Sequence, residues 1–329
     1  MRVLVTGGTG FIGSRYALSA RARGDEPVVA GQLNTDAERL RARELEASGL
    51  RIEQGPLQDP DYARRIVTGC EVVIHLAAAQ HEANVPESYF EDVNVRGTET
   101  LLKAALAAGA RRFVQGSTIG VYGESRGEAL DEQSPPHPVN MYGRSKLKAE
   151  ELVRSYRERL EVSIVRISET YGPGDFRLLK LFRAVNRGRF VILGSGQNRR
   201  QVIHVSDLVR GLDLAAVHPR AVGETFVMAG GEVLTTRELV REVATALGRP
   251  ATAPRLPMWP FLTAAVLMEH TLAPLGIQPP LHRRRLDFFR KSFLFSITKA
   301  QELLGFSPEI ALRTGAPETI AWYRREGLL

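Results

Sequence analysis

The chain has 329 residues, of which 43% are hydrophobic, and a formal net charge of +7. This composition excludes a disordered chain, and the length allows one large domain and a smaller one. The single cysteine, Cys70, excludes an internal disulfide, and the sequence has neither zinc-type spacing nor a basic stripe with interleaved aromatic residues, so we expect no metal site and no nucleic-acid partner.

The N-terminal segment lacks the basic start, long apolar run and cleavage site of a signal peptide. We therefore expect a cytoplasmic protein with no integral membrane segment. Arginine clusters lie at 199–200 and 283–285, where a basic excess fits either an anionic small molecule or a solvated surface. A small-molecule substrate is the expected partner.

Short apolar runs alternate with helical patterns through the first half of the chain. The runs predict strands at 3–5, 27–30, 72–76, 112–115 and 162–167, with helices at 16–23, 95–108 and 146–159. This alternation predicts an α/β fold with a Rossmann-type, doubly wound parallel sheet. Beyond residue 170 the pattern becomes irregular and richer in proline, which predicts a smaller, mixed C-terminal substrate-binding region. The predicted division is a Rossmann domain of 1–168 with 200–228, and a substrate-binding region of 169–199 and 229–329.

A glycine-rich turn follows the first predicted strand. Gly8, Gly10 and Gly13 satisfy G-x-G-x-x-G between a strand and a helix. In that setting glycines allow a tight turn and let a pyrophosphate approach the amides of a helix N-terminus. The turn therefore predicts a dinucleotide.

The second predicted strand leaves the choice between NAD and NADP open. It ends in Gly31 and Gln32, which places Gln32 at the cofactor but offers no carboxylate for the ribose hydroxyls. Arginines follow at 39, 41 and 43. They either reach a 2′-phosphate or lie on the solvated face of a charge-rich helix.

A second set of residues indicates acid/base chemistry. Tyr142 and Lys146 are four residues apart in MYGRSK, so they share one face of a helix. A tyrosine pKa of about 10 is too high for a base at neutral pH, but a nearby ammonium group favours the phenolate. Ser117 and Thr118 come just beyond the strand predicted at 112–115, at the same sheet edge as the glycine turn.

Several motifs in this order resemble those of the extended short-chain dehydrogenases/reductases, the NAD-dependent epimerase/dehydratase family. They are TGGTGFIG at 6–13, VIHLAA at 73–78, NVRGT at 94–98, GSTIGVYG at 116–123, YGRSK at 142–146, ETYGPGD at 169–175 and ITKAQELLGFSPEI at 297–310. The resemblance extends to the closing ETIAWYRREGLL and implies an NAD(P)-dependent enzyme that moves hydride at a secondary alcohol.

The resemblance also implies roles for single residues. It implies cofactor contacts at Gly7, Gly10, Phe11, Ile12, Gly13, Leu57, Asp59, Ala77 and Ala78. Thr118 matches the catalytic hydroxyl, with Ser117 as the alternative, and Tyr142 matches the acid/base. Lys146 matches the residue that binds the nicotinamide ribose and lowers the tyrosine pKa.

Departures from the family pattern bear on the substrate. Dehydratases of nucleotide sugars have Thr-Asp-Glu before VYG, where this chain has Thr118-Ile119-Gly120, so dehydration is disfavoured. Glu169 stands where nucleotide-sugar enzymes have an asparagine, and a carboxylate opposes a diphosphate. Arg200, in contrast, matches an arginine that binds the sugar-nucleotide phosphates. Glu169 and Arg200 are therefore the candidate substrate contacts, together with Thr118.

Two alternatives follow. Residues 256–281 resemble the hydrophobic insertion of the 3β-hydroxysteroid dehydrogenase branch, which favours a lipid-like alcohol. A non-enzymatic dinucleotide sensor is the third possibility, although such relatives lose the tyrosine. Epimerisation or oxidation of a nucleotide sugar is our leading prediction, and we expect a homodimer.

Overall fold

The computed structural model describes residues 1–80, 85–125, 127–272, 281 and 283–329. In chain order, the strands in these ranges are β1 (Arg2–Thr6), β2 (Glu26–Ala30), β3 (Ile52–Glu53), β4 (Val72–His75), β5 (Arg112–Thr118), β6 (Glu161–Ile167), β7 (Thr170–Tyr171), β8 (Ile192–Leu193), β9 (Arg199–Arg200), β10 (Ile203–His204), β11 (Thr225–Met228), β12 (Leu234–Thr235) and β13 (Arg255–Leu256). The α-helices are α1 (Phe11–Ala22), α2 (Asp36–Ala47), α3 (Pro60–Val67), α4 (Glu87–Glu91), α5 (Gly97–Ala107), α6 (Met141–Ser155), α7 (Leu179–Asn186), α8 (Val205–Val217), α9 (Thr236–Ala246), α10 (Trp259–Leu272), α11 (Arg283–Arg290), α12 (Thr298–Leu304) and α13 (Leu312–Arg325). A π-helix (Asp92–Arg96) leads into α5.

Seven strands form one parallel sheet in the order β11-β6-β5-β4-β1-β2-β3. The chain starts in the middle at β1, runs outward to β3, and then crosses to β4 on the other side of β1. Ligands of such sheets bind beyond the carboxyl ends of the strands where the winding direction reverses. The predicted Rossmann-type α/β fold is confirmed.

The predicted strands and helices all occur, with shifted ends. The largest shifts are at the starts of α1 and α6, which each begin five residues earlier than predicted. Among the strands, β5 runs to Thr118, so Ser117 and Thr118 end the strand and do not lie beyond it as predicted. They stay in the strand because residues 116–118 continue the ladder with Val165, Arg166 and Ile167 of β6. Strand β3 was not predicted, since two residues are too short to show a period.

Both faces of the sheet are buried, which explains the continuous apolar runs. In β1, Val3 and Val5 pack into a cluster with α1 and α8, whereas Leu4 packs into a second cluster with α3, α5 and α6. Chemistry is therefore confined to the strand ends.

The C-terminal half adds smaller units around these strand ends. Strand pairs β7–β10 and β8–β13 are parallel, and β9–β12 is antiparallel. Helices α7, α9 and α13 share one apolar cluster, and Leu193 of β8 packs with Ala265 of α10 and Leu286 of α11 in another. No helix in the described ranges is long and apolar enough to cross a membrane. Part of the sequence segment 256–281, residues 273–280, lies outside the described residues.

The turn after β1 depends on a close backbone approach at Gly7. Its φ of +64° lies in the left-handed region. A Cβ there would come within 2.7 Å of the Ala77 nitrogen and 2.8 Å of the Leu76 carbonyl carbon. Glycine is thus required both for the backbone angle and for the contact with the end of β4.

We expect Gly7→Ala to lower the free energy of unfolding by at least about 2 kcal/mol more than Gly109→Ala. Gly109 is the matched control because its φ is +72° and nothing lies within 4 Å of an added Cβ, so it carries the backbone strain without the clash. Urea unfolding of the two variants measures the difference. Equal losses would show that the approach to Ala77 is not tight.

Candidate active site

The turn between β1 and α1 leaves backbone amides for a ligand. The Gly10 nitrogen donates to the Gly7 oxygen at 2.8 Å, and a Cβ on Gly13 would overlap that same oxygen. Helix α1 has no side-chain cap at Gly10, so the protein provides no cap for the amides of Phe11 and Ile12 in the first turn. These five residues fit a pyrophosphate bound at a helix N-terminus.

Polar contacts hold the end of β2, and Arg41 beside it fits neither role predicted for the arginines of α2. Gln32 donates from Nε2 to the Gly55 oxygen at 2.8 Å, and its own carbonyl accepts from Thr9 Oγ1 at 2.7 Å. Arg41 is buried and donates to the Thr9 oxygen at 2.7 Å and to the Gly174 oxygen at 3.1 Å. Burial lowers its pKa to about 10. Arg41 is therefore neither on a solvated face nor free for a 2′-phosphate.

The segment after β3 supplies the other predicted adenosine contacts. Asp59 caps helix α3, since its Oδ1 accepts from the Asp61 nitrogen at 2.9 Å and Pro60 opens the helix. Leu57 lies beside Gly97, at 3.4 Å from the position of an added Cβ. The structure thus gives Asp59 a capping role, and its contact with the cofactor stays a prediction.

A buried histidine ties β1 to β4 beside the glycine turn. His75 Nδ1 lies 2.6 Å from Thr6 Oγ1, and Nε2 lies 2.9 Å from Thr98 Oγ1. Because Thr98 donates its proton to the Asn94 oxygen at 2.7 Å, Nε2 must carry the imidazole proton, and Thr6 donates to Nδ1. Burial, with a smaller effect of Lys146, lowers the pKa of His75 to about 3, so the ring is neutral.

Asn94 joins the loop after β4 to α6, the helix predicted to carry the acid/base residue. It lies in the π-helix, and its amide exchanges hydrogen bonds with both backbone groups of Ala79 at 2.8 and 3.0 Å. Its Nδ2 also donates to Ser145 Oγ at 2.9 Å, and Ser145 donates to the Tyr142 carbonyl at 3.0 Å. The loop that holds Ala77 and Ala78 is thereby fixed relative to α6.

Thr118 and Tyr142, the residues predicted from sequence to react with the substrate, are hydrogen-bonded to each other. Asn140 caps α6 by accepting from the Gly143 nitrogen at 2.8 Å, which sets where Tyr142 begins the helix. Burial raises the pKa of Tyr142 to about 12, while its side-chain hydrogen bond with Thr118 and the charge of Arg177 act in the opposite direction. Burial outweighs these two effects, so Tyr142 rests as a phenol, and Thr118 and Arg177 favour the minor phenolate form that a base requires.

Lys146 lies one turn along α6 and is almost completely buried, with 2% of its surface exposed. Burial lowers its pKa to about 8, and the charge of Glu150 acts against this change. The predicted pair therefore shares one helix, but the cation that acts on the Tyr142 pKa is Arg177.

Ser117 is hydrogen-bonded within a buried ionic network. Its Oγ donates to Glu150 Oε1 at 2.6 Å, and Arg166 donates to the same carboxylate from Nε at 3.0 Å and from Nη2 at 2.8 Å. Arg166 Nη1 also donates to Tyr122 Oη at 2.6 Å. Of the two adjacent hydroxyls, Thr118 is therefore the one beside Tyr142.

Glu169 and Arg200, the two conflicting substrate candidates, pair with each other. Arg200 Nη1 donates to Glu169 Oε2 at 2.5 Å, and Nη2 donates to the Phe288 oxygen at 2.7 Å. The guanidinium is 4.0 Å from the Phe288 ring centroid, and its Nε is buried without a partner. Although burial raises the pKa of Glu169, Arg200 and Arg177 together bring it below the ordinary value.

Three residues at this edge were missed in the sequence. Arg177 acts on the pKa values of both Tyr142 and Glu169. Asn94 and Glu150 form hydrogen bonds that connect α6 to the π-helix and to β5. The sequence did contain signals for both: Asn94 is a polar residue before a helical run, and Glu150 is a carboxylate four residues after Lys146. Arg283, a second candidate for phosphate, pairs with Glu269 at 2.7 Å. Among the described residues, no group of three or more His, Cys, Asp or Glu side chains is arranged to hold a metal ion.

Comparison with known proteins agrees with this geometry. Residues 3–229 match the family model of the NAD dependent epimerase/dehydratase family. The chain is 32% identical to a dTDP-glucose 4,6-dehydratase of Streptomyces niveus, over 98% of this chain and 93% of the relative. It is 30% identical to a UDP-glucose 4-epimerase of Vibrio cholerae, over 84% of this chain and 90% of the relative. Among solved structures, the dTDP-glucose 4,6-dehydratase DesIV of Streptomyces venezuelae, solved with NAD, superposes with a TM-score of 0.79 at 28% identity over the whole of both chains.

The family match covers more than half of the chain, and it includes the glycine turn, Thr118, Tyr142 and Lys146. The family is NAD-dependent, which confirms a nicotinamide dinucleotide as the cofactor, and the preference for NAD over NADP stays a prediction. The chain therefore belongs to the NAD-dependent epimerase/dehydratase family, and it is an enzyme of the extended short-chain dehydrogenase/reductase type.

Proposed function

We propose that this enzyme moves hydride at a secondary alcohol of a nucleotide sugar, with epimerisation or oxidation as the net reaction. The observation that carries the proposal is the placement of Tyr142, hydrogen-bonded to Thr118 and one turn from buried Lys146, at the same sheet edge as the glycine turn. The relatives named for dTDP-glucose and UDP-glucose support a nucleotide sugar as the substrate class.

The residues divide the reaction between them. Bound NAD supplies the acceptor and donor of the hydride. Tyr142 takes the proton of the substrate hydroxyl, and Thr118 holds the same oxygen by a hydrogen bond, so that the carbon is aligned for hydride transfer. Lys146 would hold the nicotinamide ribose, and the charge of Arg177 favours the phenolate. Reversal at Tyr142 returns the proton, and a ketone that turns over first gives the epimer.

Epimerisation is favoured over dehydration by the residues after Thr118. Elimination of water needs a further acid and base, and Ile119 and Gly120 stand in the two positions where dehydratases have carboxylates. Ile119 packs against the apolar core, and the Gly120 nitrogen donates to Thr118 Oγ1 at 3.0 Å. Neither residue carries a titratable group, so we do not expect the enzyme to be a dehydratase.

A lipid-like alcohol is the second candidate. Two observations favour it: Trp259 and Leu267 on α10 are 70% and 63% exposed, and Arg200 is already paired with Glu169. An apolar ligand would use the α10 surface, whereas a nucleotide diphosphate would use Arg200.

Three further features remain predictions. We propose that the enzyme acts in the cytoplasm as a homodimer; its only cysteine, Cys70, is free and buried, which supports a reducing compartment. We also retain the division into a Rossmann domain of 1–168 with 200–228 and a substrate-binding region of 169–199 and 229–329. Sedimentation velocity measures the oligomeric state.

Tyr142→Phe is expected to lower kcat by at least about 10²-fold while the Kd for NAD changes little, because only the proton-transferring hydroxyl is removed. Turnover of a nucleotide sugar and calorimetry with NAD measure the two quantities. Tyr156→Phe, the same change at the end of α6, is the control and should keep kcat. Full turnover by Tyr142→Phe would contradict the proposed mechanism.

Arg200→Leu separates the two substrate classes. If the ligand carries a diphosphate, loss of this charge-assisted contact should weaken binding by about 10²-fold, because a phosphate is left unpaired away from water. Arg199→Leu is the matched control, since the neighbouring Arg199 is exposed. Calorimetry with UDP-glucose and with a hydroxysteroid measures both affinities. Unchanged UDP-glucose binding, or binding of the steroid alone, would contradict the nucleotide-sugar proposal.

A further inference from the structure

The catalytic helix carries four polar groups in one row. Tyr142, Lys146, Glu150 and Arg154 are spaced four residues apart along α6, which puts each about one turn above the last. Tyr142 and Lys146 belong to the proposed reaction, and the reaction leaves Glu150 without a role. Glu150 is nevertheless 0% exposed, which is rare for a carboxylate unless it is paired.

Glu150 links the helix to two strands. Ser117 of β5 donates to Oε1 at 2.6 Å, directly next to Thr118, and Arg166 of β6 donates to both oxygens. Arg154 donates to Oε2 at 2.7 Å from the next turn of α6. Although burial raises the pKa of Glu150, these donors, with Arg166 first, hold it below the ordinary value. The carboxylate is therefore charged.

The groups around Lys146 leave Glu150 as its counter-ion. Tyr142 on α6 is a neutral phenol at pH 7, and His75 on β4 is neutral because burial and Lys146 itself lower its pKa. Arg166 on β6 is a cation. Burial lowers the pKa of Lys146 and so favours loss of its proton. Within the described part of the chain, the charge that opposes this loss is that of Glu150.

We propose that Glu150 is a positioning residue with two effects: its charge keeps the Lys146 ammonium protonated, and its bond to Ser117 fixes the end of β5, and so Thr118, against the catalytic helix. The proposal deepens the proposed function, because the Lys146 ammonium would hold the nicotinamide ribose and a fixed Thr118 is the hydrogen-bond partner of Tyr142. A lysine at this position also makes the effect observable, since an arginine would not lose its proton.

The first experiment measures Lys146 directly. The chain has six lysines (Lys103, Lys146, Lys148, Lys180, Lys291 and Lys299), so a ¹³C-lysine NMR titration resolves few signals, and Lys146→Arg identifies the one from Lys146. In Glu150→Gln, loss of the negative charge should lower the pKa of Lys146 from about 8 by about 1. A purely structural role predicts the opposite sign, because a loosened site admits water and brings the pKa back towards 10.5.

The second measurement is the pH profile of kcat. Lys146 has a folded pKa below its ordinary value, so its charge is present below about pH 8 and is lost as the pH rises. In Glu150→Gln the alkaline limb should move to lower pH by the same amount as the NMR pKa. Glu151→Gln, the same change at an exposed neighbour, should leave both unchanged. Ser117→Ala should lower kcat without moving the limb.

The outcomes separate the two proposals. A lower Lys146 pKa in Glu150→Gln supports the role of Glu150 even if no nucleotide sugar turns over, because the titration needs no substrate. An unchanged or higher pKa overturns that role, whatever the enzyme acts on. If Glu150→Gln does not fold, the double variant Glu150→Gln/Arg166→Gln removes both members of the buried ion pair and avoids an unpaired guanidinium. It is expected to show a smaller fall, because the repulsion between Arg166 and the Lys146 ammonium is removed as well, and an unchanged or higher pKa there overturns the role equally.

Discussion

The contact of the Gly7 turn with the backbone at Leu76 and Ala77 is the constraint on which the rest of the site depends. It brings the end of β1 against the end of β4 at the point where the winding of the sheet reverses. Thr6 donates a hydrogen bond to His75, which donates to Thr98. Thr98 in turn donates to the carbonyl of Asn94, the residue that is bonded to α6. The glycine turn and α6, which carries Tyr142 and Lys146, are therefore positioned by one connected set of hydrogen bonds.

Charge balance is the second feature of this edge. Glu150 with Arg166 is a buried pair and Glu169 with Arg200 a partly buried one, and in both the carboxylate has a cation within 2.8 Å. Such pairs add little net stability over apolar residues, but loss of one partner leaves a buried charge at a cost of about 3–5 kcal/mol. They fix geometry more than they stabilise the fold.

The sequence predicts much of this arrangement because most of its signals are local. The glycine turn, the strand pattern and the spacing of Tyr142 and Lys146 each lie within about a dozen residues, and all of them occur in the fold. The environment of Arg41 could not be predicted from local sequence. Its helix looked solvated because it is rich in charges, yet its guanidinium meets the Gly174 carbonyl, 133 residues away along the chain.

The same reason explains the uncertainty over Glu169 and Arg200. Each suggested a different substrate when read alone, and only the folded chain shows that they neutralise each other. Ser117 and Thr118 are adjacent in sequence, and they are separated by the alternation of side chains along β5, which sends one to Glu150 and the other to Tyr142. Side-chain direction at a strand end depends on where the strand stops, and that boundary was predicted three residues too early.

Arg200 also contacts α11, since its guanidinium donates to the carbonyl of Phe288 and packs against the ring of the same residue. The guanidinium is thus shared between the sheet edge and a helix that lies more than 80 residues further along the chain. Occupancy at Arg200 and the seating of α11 are consequently linked thermodynamically, and linkage is reciprocal. If the packing of α11 changes the free energy of binding a ligand at Arg200, then that ligand changes the free energy of α11 packing by the same amount.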